Sequence, residues 1–354
     1  MNAGAAAGPI PSLDLRDLDT GHPTRTRFLE DLRTAAHEVG FFYLEGHGID
    51  ERWNEELFRV AREFFALPDG AKAAISMVNS PHFRGYTQLG GERTLGRCDW
   101  REQVDIGPER DALRECAGQP PWLRLQGPNQ WPNGLPAFRR VTLRWQAAAR
   151  HVLIRLLRAF AAALGQSEAA LEFFYRDEPH VMMKLIRYPG RESAGDTQGV
   201  GAHKDAELLT LLLQDEQCGL QVKPALGHWI DVPPRTGTFV VNVGELLELA
   251  SDGYLRATLH RAISPPPGRE RYSAACFLGA GLNVTLPVLD LPQELASKAR
   301  GSERDPANPL FREVGRNYLK GRLRSHPDVA RRHHPDLLEG AAPSESQSPE
   351  DPRG

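Results

Sequence analysis

The sequence predicts an α+β protein with a mainly β core: a sandwich or jelly roll in the carboxy-terminal half, flanked by helices that include an amino-terminal helical region. Two observations carry this prediction. After Pro179, short apolar or alternating segments recur between Gly/Pro-rich turns, the period-2 texture of strands. Before it, apolar residues recur three and four apart, the spacing of helices that bury one face.

Pro9 to Leu15 alternates apolar and polar residues and reads as a short strand, edge-placed because proline cannot donate to a ladder. In the helix that follows, Thr24 or Thr26 is the cap. Phe28, Leu29, Leu32, Ala35, Ala36 and Val39 form its apolar face, and Gly40 stops it. Phe41-Phe42-Tyr43-Leu44 is a buried strand ending in the turn Gly46-His47-Gly48. Asp50 precedes a second amphipathic helix, with Trp53, Leu57, Val60 and Phe64 on one face, which halts before Pro68. Ser80 to Leu135 is rich in Gly, Pro and charge and reads as loops and short strands of the kind that wall a cleft. Pro136 opens the longest helical pattern, ended by Gly165, a scaffold to be packed on a sheet.

The expected strands are Val181 to Tyr188, Leu208 to Gln214, Leu220 to Lys223, Trp229 to Val232, Thr238 to Val243, Ala257 to Ser264 and Tyr272 to Leu278. Asn308 to Leu323 reads as a final helix, with Asn308 as its cap and Pro309 at the first helical position. The tail beyond Gly340 has too few apolar groups to pack and is expected to be disordered. The organisation that follows is a flexible start (1–8), an amino-terminal region (9–135), a scaffold helix (136–175), a jelly-roll core (176–290), a carboxy-terminal helical segment (291–339) and a disordered tail (340–354).

A chain of 354 residues holds one large domain or two medium ones, either with a substantial core. Its net charge of −3 lacks the basic excess that phosphate binding requires, so nucleic acid is not the expected partner. The strongest apolar run, Leu208 to Leu213, is far short of the roughly 18 residues of a membrane helix. The small-residue start lacks a secretory signal, and the expected location is the cytoplasm. Cys98, Cys116, Cys218 and Cys276 form no C-x-x-C pair and are expected to be reduced thiols. His333 and His334, beside Arg331 and Arg332, read as part of a solvated helix, and His228 as an exposed turn.

The chemistry starts at Val200 to Asp205. In an extended segment His203 and Asp205, two apart, point the same way while Lys204 points away. That is two thirds of a site in which two histidines and a carboxylate hold one face of Fe(II). His260, in the strand-like Ala257 to Ser264, is the leading third ligand. Arg271 and Ser273 repeat the two-residue spacing, and a guanidinium fork beside a hydroxyl suits a carboxylate ligand. The bland alternatives are a hydrogen-bonded His/Asp pair and a surface ion pair for Arg271. A zinc hydrolase would need a general-base carboxylate beside the metal water, which no Glu motif supplies. A sensor or structural jelly roll without turnover would be marked by a missing ligand, and none is missing.

These motifs, with Gly40-Phe41-Phe42, His47-Gly48, Arg84-Gly85-Tyr86, Asp99-Trp100-Arg101-Glu102 and Ile186-Arg187-Tyr188-Pro189, stand in one order along the chain. In that order the sequence resembles the isopenicillin N synthase-like branch of the 2-oxoglutarate and Fe(II)-dependent oxygenases. The resemblance implies a double-stranded β-helix with iron near its mouth, held by His203, Asp205 and His260. It implies that Arg271 and Ser273 clamp the distal carboxylate of 2-oxoglutarate, supported by Tyr188. Three open iron positions then serve the keto acid and O2, and the keto acid leaves as succinate and CO2. Asp205 disfavours halogenation, since halogenating relatives have a small residue there. Hydroxylation, desaturation or ring formation of a small-molecule substrate is expected.

Ile186 stands where many plant members have an asparagine, and its tetrapeptide looks like isopenicillin N synthase itself. The alternative is therefore an Fe(II) oxidase that uses O2 without 2-oxoglutarate. By the same resemblance Arg84 is placed to grip a substrate carboxylate, or else is a solvated loop arginine. Phe277, four beyond Ser273 on the same face, walls the substrate pocket or simply packs. An Arg- and Ala-rich composition points to specialised metabolism, and a monomer is the default.

Overall fold

Alternation along the carboxy-terminal strands gives each one a face for the helices and a face for the interior. The computed structural model describes residues 10–19, 21–113, 118–192, 198–224, 227–301 and 308–339. Its strands are β1 (Ser12–Asp14), β2 (Phe41–Glu45), β3 (Gly85–Thr87), β4 (Arg93–Thr94), β5 (Arg97–Cys98), β6 (Glu102–Ile106) and β7 (Val181–Pro189). They continue as β8 (Gln198–His203), β9 (Leu209–Gln214), β10 (Leu220–Lys223), β11 (Ile230–Asp231), β12 (Phe239–Val243), β13 (Leu259–Ile263) and β14 (Glu270–Leu278). The larger sheet runs β1-β2-β12-β9-β14-β7-β6-β3 and the smaller β11-β10-β13-β8, with β4-β5 a separate hairpin. Within the two sheets only β1 and β2 pair in parallel. The result is the predicted jelly roll. The prolines leave β1 at the sheet edge, as expected.

One face of the larger sheet carries Leu209, Leu211, Leu213, Phe239, Val241 and Val243, all in the main apolar core. Three long helices share that core: α1 (Arg25–Glu38), α2 (Glu51–Phe65) and, after the short α3 (Asp69–Ala73), the 28-residue α4 (Pro136–Ala163). α4 is the expected scaffold; its buried Trp145 donates to Asn54 of α2 at 2.8 Å and lies edge-on to Phe239. Gly40 stops α1 at φ +74, and a Cβ there would lie 2.3 Å from the Arg256 carbonyl oxygen, so no other residue fits. The opposite face, with Tyr43 and Val240, packs on Leu220 and Val222 of the smaller sheet to close a smaller cluster between the sheets.

After β12 come α5 (Glu245–Ala250), α6 (Gln293–Ala296), α7 (Val314–Ser325), α8 (Pro327–His333) and α9 (Pro335–Glu339). Two expectations are corrected here. The final long helix begins at Val314, not after Asn308, because Asn317 turns back to bind the Phe311 backbone N–H and C=O at 2.8 and 2.6 Å, fixing that segment as a non-helical lead-in. His333 and His334 are not solvated: they bind the Val78 and Pro81 carbonyls, and His334 stacks on Phe83, docking α8 and α9 onto the 77–83 segment. Cys98, Cys218 and Cys276 are free thiols; Cys116 lies outside the described residues, as do the flexible start (1–8) and the tail (340–354).

Candidate active site

β8 and β13 pair so that His203 faces His260 and Val200 faces Ala262. Two residues, Gly201 and Ala202, intervene on β8 against one, Arg261, on β13. This is a β-bulge, and its extra residue lets Val200 and His203, three apart, both turn inward. β8 ends at His203, so Asp205 sits in the following loop, its carbonyl accepting the Glu245 N–H at 2.8 Å. The three side chains meet: Asp205 Oδ1 lies 3.5 Å from Nε2 of both His203 and His260. Among the described residues this is the one His/Cys/Asp/Glu cluster with metal-ligand spacing, its ligand atoms all within 4.8 Å.

The surrounding hydrogen bonds aim these atoms. His203 Nδ1–H donates to the Gly201 carbonyl at 2.9 Å and His260 Nδ1–H to the Thr258 carbonyl at 3.1 Å, each two residues back. A carbonyl can only accept, so both imidazoles carry the Nδ1 proton and leave the Nε2 lone pair facing the centre. Asp205 Oδ2 accepts from Thr210 Oγ1 at 2.6 Å and Asn242 Nδ2 at 2.8 Å, leaving Oδ1 free for the same point. Burial alone would raise the Asp205 carboxyl, but the two histidines and Thr210 outweigh it and hold it well below the usual range. Burial and the neighbouring His203 push His260 down to about 4. Burial lowers His203 as well, and the negative Asp205 carboxylate 3.5 Å away more than reverses that. Two neutral-capable imidazoles and one carboxylate anion, with their outer atoms tied back, are a donor set for a divalent iron.

The second constellation also assembles. Arg271 lies opposite Tyr188 and Ser273 opposite Ile186 on β14 and β7. Arg271 is 1% exposed; its NH2 donates to Gln214 Oε1 at 2.9 Å and its guanidinium sits 4.9 Å from the Tyr188 ring centroid. Arg271 Nε and Ser273 Oγ are buried without a partner. A buried guanidinium N–H and hydroxyl left unmade cost free energy that a bound carboxylate would recover. Ile186 and Tyr188 pack with Val200 and Ala262, linking the Arg/Ser pair to the strands that carry the two histidines.

Phe277 shares the Ser273 face, half-buried opposite Thr210 and Met182, next to the Asp205 support. Arg84 is not the solvated loop arginine: it is 3% exposed, and its fork donates to the His82 and Leu125 carbonyls at 2.8 and 3.0 Å. Its unpartnered Nε faces Gly107, and burial brings its pKa down to about 9. His228 is exposed, as expected of its turn.

Sequence reading missed the polar wall beside the metal cluster. Glu92 accepts from Arg101 at 2.6 Å and Lys184 at 3.0 Å; Asp105 accepts from Gln103 at 2.7 Å and Arg322 at 2.8 Å. α7 contributes Tyr318, Arg322 and, at its end, His326, spaced by four onto one face. A signal existed: Lys184 and Asn242 are polar residues flanked on both sides by apolar ones in their strands, which is costly unless the interior has a use for them.

Comparison with known proteins gives two family matches. A model described as non-haem dioxygenase in morphine synthesis N-terminal matches residues 10–134, and one described as 2OG-Fe(II) oxygenase superfamily matches residues 179–280. A 2-oxoglutarate-dependent dioxygenase of Dothideomycetidae sp. is 35% identical over 96% of each chain. A homoarginine-6-hydroxylase of Glycine max is 36% identical over 74% of this chain and 80% of its own. Among solved structures, a full-length Neurospora crassa protein in complex with alpha-KG superposes with a TM-score of 0.70 at 25% identity, covering 84% of this chain and 93% of that one.

Proposed function

Because the chain belongs to the 2-oxoglutarate- and Fe(II)-dependent oxygenases, we propose that His203, Asp205 and His260 are its iron ligands and that Arg271, Ser273 and Tyr188 seat the keto acid. The protein is a non-haem dioxygenase that oxidises a small organic molecule while converting 2-oxoglutarate to succinate and CO2. The observation that carries the residue assignment is the pairing of two imidazoles whose Nε2 atoms converge on one carboxylate oxygen with a buried Arg/Ser pair that lacks a partner.

When bound, the iron supplies activation of O2 by electrons drawn from the keto acid. The chain's own part is positional. The Gly201 and Thr258 carbonyls hold the tautomers, Thr210 and Asn242 hold the carboxylate, and Arg271, held over the Tyr188 ring and tied to Gln214, presents a fork to the distal carboxylate. Phe277 walls the space beside Thr210. Arg84 braces that region through backbone carbonyls, which supports an indirect role toward the substrate. The outcome we propose is hydroxylation, in keeping with the relative named as a homoarginine-6-hydroxylase. We further propose that the enzyme acts as a cytoplasmic monomer on small molecules rather than nucleic acid, within specialised metabolism; the net charge of −3 supports the choice of small molecules over nucleic acid. No helix among the described residues is long and apolar enough to cross a membrane.

Anaerobic titration of the Fe(II)-loaded protein with 2-oxoglutarate tests the assignment. A weak visible charge-transfer band should appear in the wild type and be lost in His203→Ala, which should also abolish iron binding. A wild-type protein without the band would favour the oxidase that uses O2 alone.

A further inference from the structure

Buried ion pairs seldom add stability over apolar replacements of the same volume, so a chain of them beside a reaction centre is better explained by what it faces. Beside β6, β7 and α7, the carboxylates of Glu92, Asp99 and Asp105 each have a cationic partner. Glu92 lies 2.6 Å from Arg101, Asp99 3.8 Å from Arg101 and Asp105 2.8 Å from Arg322, while Lys184 reaches Glu92 at 3.0 Å and Asp105 at 3.9 Å. Glu207 is different. It is half-buried two residues beyond Asp205, and among the described residues its carboxylate makes no ion pair and no hydrogen bond to another side chain. Arg84, the other buried cation of this region, gives its fork to backbone carbonyls.

A second group points to the same place. Tyr318 is 5% exposed, its ring lies 4.6 Å from that of His180, and its hydroxyl has no hydrogen-bond partner. That hydroxyl sits over Gly279, the first residue past β14, where a Cβ would lie 1.8 Å from it, and the backbone brings Glu207 to the same end of β14, since the Leu208 N–H donates to the Leu278 carbonyl at 2.9 Å. A buried hydroxyl oxygen without a partner is a cost that a ligand N–H would remove.

Resting on the iron and keto-acid assignment above, we propose that Glu207 and the Tyr318 hydroxyl receive a cationic group of the substrate, a protonated amine or a guanidinium. The substrate class is then a basic, amino-acid-like molecule. The cation accepts no covalent change there: it donates N–H bonds to the carboxylate and the phenol oxygen, and its attached carbon chain extends toward the metal cluster two residues back along the chain. The paired wall of Glu92, Asp105, Lys184 and Arg322 surrounds the rest of a polar molecule without being displaced.

The test uses the full chain loaded with Fe(II) and 2-oxoglutarate without oxygen, titrated calorimetrically with L-homoarginine, L-arginine, L-lysine and agmatine, and with L-homocitrulline and L-norleucine as neutral counterparts. At least one cationic probe should bind about tenfold or more tightly than its neutral counterpart. Glu207→Gln, and separately Tyr318→Phe, should shrink that preference to within about threefold, with Glu207→Gln binding L-homocitrulline at least as well as the wild type does, which a misfolded chain would not. If no cationic probe binds a complex that shows the keto-acid band, or if Glu207→Gln keeps the full preference, the proposal is overturned. A wild-type complex that never forms the band overturns the keto-acid assignment instead, and this proposal with it.

Discussion

Replacing Thr210 by valine removes one of the two hydrogen bonds that hold the Asp205 carboxylate, while keeping the branched shape on β9. The lost bond, Oγ1–H to Oδ2 at 2.6 Å, is buried and made to an ionised acceptor. Such bonds are worth about 1.5–3 kcal/mol, and each 1.4 kcal/mol is a factor of ten, so the carboxylate's orientation should cost roughly 10–100-fold in metal affinity. Asn242 at 2.8 Å keeps the second bond, so the site should weaken rather than vanish. Thr210→Ser, which retains the hydroxyl, should stay within about threefold of the wild type. Anaerobic Fe(II) titration, with Mn(II) binding followed by electron paramagnetic resonance as a cross-check, measures the affinity, and thermal melting of the apoprotein controls for folding. A valine variant that melts normally and binds metal as tightly as the wild type would show that Thr210 does not orient the carboxylate, and the role given to the outer hydrogen bonds of the site would fall.

Two further outcomes follow from neighbouring features. Arg271→Lys keeps the charge but loses the fork that Gln214 and the Tyr188 ring hold in place; the apparent KM for 2-oxoglutarate should rise about tenfold or more with iron affinity unchanged, and a wild-type KM would remove Arg271 from the clamp. His326 is 2% exposed, and burial pushes its pKa down to about 4 against roughly 6.5 when unfolded. A depressed histidine means that the unfolded chain takes the proton first, so its contribution is intact above pH 6.5 and lost below. Between pH 7.5 and pH 5 the loss should be about 2 kcal/mol, read as the difference in urea stability between the wild type and His326→Asn, and parallel pH slopes for the two proteins would contradict it.

Much of the site was legible because its residue types are unusual where they stand. His203, Asp205, His260, Arg271 and Ser273 break apolar or Gly-rich surroundings, and the structure brings each set together. Their geometry was only partly legible. Two-residue spacing places Arg271 and Ser273 on one face, because β14 is a regular strand from Glu270 to Leu278. The same rule does not account for His203 and Asp205: β8 ends at His203, and a bulge and a loop produce the convergence. Bulges depend on pairing with a distant strand, so no local pattern announces them. The wall of Glu92, Lys184, Asp105 and Arg322 joins residues from opposite ends of the chain, each of which alone resembles an ordinary surface charge. Likewise Asn308 and Pro309 look like a helix start, and the tertiary contact through Asn317 overrides them.

The seam between β2 and β12 has a consequence for how the protein can be divided. Phe41 to Leu44 pair with Phe239 to Asn242, so the amino-terminal stretch supplies a strand to the same sheet whose other members carry Thr210, Arg271 and Ser273. It is therefore not a portable module. Cutting it away would bare β12, a strand of Phe and Val, as a new sheet edge of the kind that recruits other chains. Joining residues so far apart in sequence also gives the sheet a high contact order, which makes closure of this seam a late and slow event in folding. Asn242, on that seam, can support Asp205 only once the seam has closed, so assembly of the candidate metal site depends on the first strands of the chain as much as on His203, Asp205 and His260 themselves.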